Sequence, residues 1–282
     1  MPAVDHASER EVVHIVPART WELPNLREMW SYRDLLIILS LRDIQIRYKQ
    51  SAIGIIWAVL QPVMSMVVFT LLFGRLAKMP SDGLPYAVFT FVALVPWQLF
   101  QRALTQASLS MVTLNSMMTK VYFPRMFAPL SSILSGLIDF LIAFVVLLGL
   151  MVWYGVYPGP QIVFLPFFVA LALLTAFAVS LWLSSLNVSY RDVGYALPFL
   201  AQIWMFVTPV VYPVSLVPEK WRWLVMLNPM AGVIEGFRWS LLNRLNPPDM
   251  LLVGISTLAM LVLLTGGLFY FNRTQMTYAD RV

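Results

Sequence analysis

With 282 residues, 60% of them hydrophobic and only 12% charged, the chain has too little polar surface for a soluble domain of its length. Its formal charge of +5 is therefore read as a topology signal and an attraction to anionic lipid, and nucleic acid is not expected as a partner. The absence of cysteine excludes disulfides, thiolate metal sites and cysteine nucleophiles.

Residues 1–30 form a polar tail punctuated by Pro17 and Pro24, with no cleavable signal peptide. His6 and His14 lie there without acidic neighbours at metal-ligand spacing, so no metal site is expected. Over 31–51, Leu35, Ile38, Leu41, Ile44 and Tyr48 recur at helical spacing while Arg42, Gln45 and Lys49 line another face. That pattern predicts an amphipathic helix lying in the cytoplasmic interface, with Ser31 and Asp34 as a capping box at its start.

Crossing a hydrocarbon core of about 30 Å takes roughly 20 apolar residues. Residues 52–282 contain six such stretches, at 53–73, 86–100 with a less apolar extension to 112, 130–154, 162–186, 193–212 and 251–271. Gln98, Gln101, Arg102 and Gln106 interrupt the lower half of the second, so that face is expected to meet protein or water. The predicted fold is an all-α membrane protein of six transmembrane helices. Between the fifth and sixth, residues 213–250 are too apolar for a solvated loop yet broken at Asn228 and Pro229. Two short helices re-entering the outer leaflet fit both facts. Placing the N-terminus inside puts 13 of the 19 Lys and Arg on the cytoplasmic side, so both termini are expected there.

Few residues carry chemistry. Arg42, Arg47 and Lys49 are placed to bind lipid phosphates, with Trp57 at the headgroup level. Asp139 is the one acidic residue inside an apolar span, where a charge costs roughly 2.5–3.5 kcal/mol on insertion scales, so it needs a partner, and Arg102 at similar depth is the candidate. Glu235 and Arg238 sit three apart in the outer segment, either as paired helix neighbours or as an outer gate with Trp221 and Trp223. Phe89, Trp97, Phe100, Trp204, Phe206 and Tyr212 offer ring faces on which sugars stack, against the plain alternative of helix packing and interface anchoring. There is no GxxxxGK[ST] sequence, HExxH pair or Ser/His/Asp set, so neither a nucleotide site nor a catalytic residue is expected on this chain.

The run RDIQIRYKQSAIGIIWAVLQPVMSMVVFTLLFG at 42–74 resembles the permease subunits of ABC-2 type exporters, in the branch that handles polysaccharides and polyol phosphates. The resemblance continues through VPWQLFQRAL, TKVYFPRMFAPLSSILSGLIDF, LNVSYRDV, FVTPVVYP and LNPMAGVIEGFRWSLL, in that order. It implies a homodimer that joins two copies of an ABC ATPase subunit, the ATP and magnesium being bound there and no cofactor on this chain. Lys120, Tyr122, Phe123, Pro124 and Arg125 would then form the element docking on the ATPase. An aromatic path would carry a lipid-linked polysaccharide, O-antigen-like, across a bacterial inner membrane. Which polymer is carried is not legible. A secondary transporter or channel is the rival, opposed by the scarcity of membrane-embedded ionisable residues and the lack of an inverted repeat. A membrane-bound transferase would need more acidic residues than the isolated Asp34 and Asp192.

Overall fold

The computed structural model describes residues 26–49, 54–114, 117, 120, 122–243 and 247–275. Most of the expected N-terminal tail, with both histidines, and residues 50–53 lie outside the described residues. Most of those described are helical, with no strand among them. A short helix α1 (Leu26–Ser31) leads into α2 (Arg33–Lys49), and α3 (Gly54–Phe69) widens into a π-helical end, Thr70–Leu76. Helix α4 (Tyr86–Arg102) passes through a π-helical segment, Ala103–Ala107, into α5 (Ser108–Thr113). Then come α6 (Phe127–Trp153), α7 (Leu165–Ser189), α8 (Asp192–Val207), α9 (Glu219–Met226), α10 (Pro229–Leu241) and α11 (Met250–Gln275).

Five helical segments are long and apolar enough to cross a membrane: Ile56–Leu76, Tyr86–Thr113, Phe127–Trp153, Pro160–Ser189 and Met250–Gln275. The chain is thus a multi-pass membrane protein. The expected fifth span, 193–212, departs from a full-length helix. Its helical part is the 16 residues of α8, about 24 Å at 1.5 Å per residue, after which the backbone turns irregular. Residues 208–211 and Pro213 are buried, as non-helical backbone at membrane depth must be.

Burial separates centre from rim. The apolar window of the second span is 83% buried and that of the first only 17%. Helix α4 is apolar on every side from Ala87 to Trp97 and sits inside the bundle, surrounded by α3, α6, α7 and α10. Helices α7 and α11 form the tightest pair, because Gly266 and Gly267 let α11 approach Trp182, whose Nε1 donates to the Leu263 carbonyl at 2.9 Å and whose ring stacks on Tyr270. Helix α8 is the loosest, with Leu197 and Ala201 its only buried side chains.

The expected interface helix is corrected in two respects. Ser31 and Asp34 form no capping box: the Ser31 hydroxyl donates to the Glu28 carbonyl at 2.7 Å, and Asp34 faces Arg33 at the surface. Helix α2 also lacks a single apolar face. Leu35, Leu36, Leu39, Ser40 and Asp43 turn toward α6, while Ile37, Ile38, Leu41 and Ile46 point outward. The helix is docked on protein along one stripe and clad in aliphatic side chains along another, so the polar residues are squeezed between two apolar stripes.

Close packing between α7 and α10 rests on Gly236, where an added Cβ would run into the Phe168 ring. Gly236→Ala is expected to cost about 1–3 kcal/mol by overpacking, read as a lower melting temperature in detergent, and Phe168→Ala in the same chain should restore part of the loss.

Candidate functional site

Helix α6 presents Ala128, Ser131, Ser132, Ser135, Gly136 and Asp139 as a buried stripe of small and polar residues at helical spacing. Small residues let neighbouring backbones come close, and Leu99 of α4 packs 3.6 Å from where a Gly136 Cβ would be. The C-terminal half of α2 lies against the same helix. Its Asp43 is paired with Arg42 at 2.8 Å and accepts from the Ser131 hydroxyl at 3.4 Å.

One turn further along α2, the chain closes on Asp139. Arg102 Nη1 and Arg47 Nη1 both donate to Asp139 Oδ2, Tyr48 Oη donates to Oδ1, and Arg47 Nη2 donates to Gln106 Oε1. The carboxylate is only 5% exposed, so its desolvation is offset by two guanidiniums and a hydroxyl. Burial first, and then the hydrogen bond to Asp139, push the Tyr48 hydroxyl up to about 12, which keeps it a donor at neutral pH.

The contact between Arg102 and Asp139 was legible in the sequence; the participation of Arg47 and Tyr48 was not. The signal was the spacing of α2, since Arg47 continues the protein-facing series Ser40 and Asp43. Arg47, expected at the lipid phosphates, donates to Asp139 and Gln106. Of the rest of that set, Lys49 and Trp57 are exposed and Arg42 is partly exposed beside Asp43.

The expected coupling residues divide into an anchor and a displayed edge. Phe123 is buried in a second apolar cluster with Leu39, Met111, Met126, Phe127 and Phe271, which corrects its assignment to a docking surface. Arg125 Nη1 reaches back to the Gln275 carbonyl, and Pro124 is half-buried. Lys120 and Tyr122 are exposed. Tyr122 is joined to the N-terminal helices by its hydroxyl, which donates to Glu28 Oε1 at 3.0 Å, and by an edge contact with the Tyr32 ring. Burial and the neighbouring Glu28 carboxylate raise the Tyr122 pKa.

The expected path aromatics divide too. Phe89, Trp97 and Phe100 are wholly buried inside the protomer, so they do not line its surface; they are core of the central helix, and Phe100 meets Trp204 edge-on at 5.1 Å. Trp204 and Tyr212 are half-buried and Phe206 is exposed. Missed by sequence reasoning are Tyr195 and Phe199, exposed on α8 at i and i+4 and continued by Gln202 and Phe206 at i+7 and i+11. The period was visible in the sequence, but which face of α8 was free was not.

At the opposite end of the bundle, Asn228 caps α10 by accepting from Met230 N at 3.1 Å, with Pro229 in the first turn. Its side chain also accepts from Trp204 Nε1 at 3.2 Å and donates to Thr208 Oγ1 at 2.8 Å. Arg238, 1% exposed, pairs with Glu235 at 2.9 Å, donates to the carbonyls of Val210 at 2.8 Å and Tyr212 at 3.4 Å, and lies 3.7 Å over the Phe89 ring. The Val211 carbonyl is taken by the Tyr86 hydroxyl at 2.6 Å. Glu235 and Arg238 are therefore joined inside the fold, whereas Trp221 and Trp223 stand exposed on α9; the four residues do not converge. Among the described residues no group of three or more His, Cys, Asp or Glu is placed to hold a metal.

Residues 34–242, from α2 to the end of α10, match the ABC-2 type transporter family. The chain is 31% identical over 76% of its length to an O-antigen export system permease protein of Myxococcus xanthus, of which the alignment covers 82%. It is 27% identical over 88% of its length to an O-antigen export system permease protein of Klebsiella pneumoniae, covering 94% of that chain. A polysialic acid transport protein of Escherichia coli is 24% identical over 70% of the chain and is covered over 77% of its own. The matched region contains every residue of the Asp139 cluster and of the Arg238 knot.

Replacing Arg238 with Met would strand Glu235 and the two carbonyls, and is expected to cost about 3–5 kcal/mol, measured as lost thermal stability and as new protease cleavage within 208–243. Arg238→Lys should lose much of the same stability, because a single ammonium does not span Glu235 and Val210 as the fork does.

Proposed function

The chain belongs to the ABC-2 type transporter family, and we propose that it is the membrane permease of an ATP-driven exporter carrying a lipid-linked, O-antigen-like polysaccharide from the cytoplasmic to the outer face of a bacterial inner membrane. The observation that carries this reading is the alignment along 82% and 94% of two O-antigen export permeases. The polysialic acid transport protein supports a long sugar polymer as the class of cargo.

Energy comes from a separate ATPase subunit that binds ATP and magnesium, since this sequence has no phosphate-binding loop of the Walker type. The surface offered to it is Lys120 and Tyr122, braced on α1 through Glu28. Force applied there reaches α2 through Tyr32 and Phe123, whose cluster includes Leu39, and passes to the spans through Arg47 and Asp139.

Two copies of the chain form the path, each contributing six spans and cytoplasmic termini, with α8 and the irregular 208–213 together making the fifth crossing. The exposed faces of α3 and α8 support this pairing. Trp57, Gln61, Met64 and Val68 on α3, and Tyr195, Phe199, Gln202 and Phe206 on α8, make matching exposed stripes, each holding an amide in an apolar helix. An amide facing lipid is unfavourable, so these faces meet a second copy or the sugar itself. Helices α9 and α10 re-enter the outer leaflet as the lid, with Trp221 and Trp223 at the interface.

The test is to purify the chain with its candidate ATPase in lipid discs and follow ATP hydrolysis with and without the lipid-linked glycan. A stable complex whose hydrolysis responds to glycan is expected; an ATPase that does not co-purify would sink the reading. Lys120→Ala with Tyr122→Ala should weaken the complex by about tenfold or more while the permease still folds. Phe123→Ala should instead lower the stability of the permease alone by about 3–5 kcal/mol.

A further inference from the structure

The ion cluster at the end of α2 does not balance. Arg47 and Arg102 bring two positive charges to the single carboxylate of Asp139, while Tyr48 and Gln106 contribute none. Asp43, four residues back on α2, is engaged by Arg42. One positive charge is left over in a setting where water and its screening are scarce.

The donors do not balance either. Among the described residues, Arg102 donates to protein through Nη1 only, and Arg47 through Nη1 and Nη2 only. The Nε and Nη2 groups of Arg102 and the Nε of Arg47 are left over. Both arginine side chains are about one-fifth exposed, 22% for Arg47 and 20% for Arg102. The cavity beside Asp139, lined by Gln98, Leu99 and Gly136, is water-sized at about 10 Å³, so an anion reaches the arginines from their open side.

We propose that Arg47 and Arg102 form a binding site for a phosphate group, and that Asp139 is the resident carboxylate against which the arriving phosphate competes. A singly charged phosphodiester would cancel the excess charge and take up the vacant N–H groups, and paired N–H donors on a planar fork suit phosphate oxygens. Asp139 has two effects. It holds two like charges together when no ligand is present, and it weakens phosphate binding by occupying a share of both forks. That combination suits a stop on a route rather than a storage site. The choice of a lipid-borne phosphate as ligand rests on the export reading; the charge and donor imbalance does not.

The test uses the full chain in phosphatidylcholine discs, with retention of a polyprenyl phosphosugar, a singly charged phosphodiester, measured by native mass spectrometry. Arg102→Gln should lower retention about tenfold or more. Gln106→Glu is a near-isosteric change at an exposed position whose new carboxylate meets Arg47 and cancels the excess charge; it should lower retention comparably without endangering the fold. Asp139→Asn, where it folds, should raise retention. Wild-type retention by both Arg102→Gln and Gln106→Glu overturns the proposal. Displacement of the lipid by millimolar inorganic phosphate supports the site with a soluble anion as its ligand, and resistance to displacement supports a lipid-borne phosphate. An ATPase unresponsive to glycan, together with Arg102-dependent retention, would remove the export reading and leave the site standing. A responsive ATPase with retention indifferent to both variants would do the reverse.

Discussion

A carboxylate inside an apolar span cannot be left to itself, and the way Asp139 is satisfied ties three otherwise separate parts of the chain together. One arginine comes from the central helix α4 and the other from α2, which lies outside the spans. Because removing a partner from a buried ion pair is far more costly than the pair is stabilising, the arrangement acts mainly as a registration device. It sets where α2 ends relative to α6, and Tyr48 is then positioned against Gly54, where an added Cβ would sit 3.3 Å from its ring. The start of the first span is placed by the same contact.

The opposite half obeys the same constraint with different groups. Helix α8 stops short, and the backbone that follows has carbonyls that no helix can satisfy. Arg238 of α10 and Tyr86 of α4 supply the missing donors, while Asn228, the cap of α10, binds the Thr208 hydroxyl. The irregular stretch is therefore well determined, and its order depends on side chains distant in sequence. Each end of the molecule is thus organised around an arginine that substitutes for water.

Much of this could be read from the residues. Of the six spans expected from apolar length, five are present as long apolar helices; the break at Asn228 followed from Asn-Pro, and the meeting of Arg102 with Asp139 from the cost of a lone carboxylate in hydrocarbon. Burial of aromatics could not. Phe89, Trp97 and Phe100 have the composition of a sugar-binding path and of a packed core alike, and only the neighbours of α4 decide between them. The carboxylate partner of Arg47 was missed for a related reason, since a cation near a membrane surface suits lipid phosphate as well as a carboxylate, and that partner lies 92 residues away. Helix α2 misled because two apolar stripes, one toward protein and one outward, average into a single broad pattern.

The π-helical segment Ala103–Ala107 gives the central helix a property that its burial alone does not suggest. A wide turn accommodates one residue more than an ordinary turn, so the stretch beyond it is rotated by about 100° relative to an uninterrupted helix. Chain length in this short segment is therefore a phase setting. Losing one residue there would leave α4 in its socket and turn α5 away from α7, carrying Met111 and Leu114 out of the cluster that seats Phe123. The two ends of one continuous helix are in this sense indexed separately, the N-terminal end to the core and the C-terminal end to the Phe123 cluster.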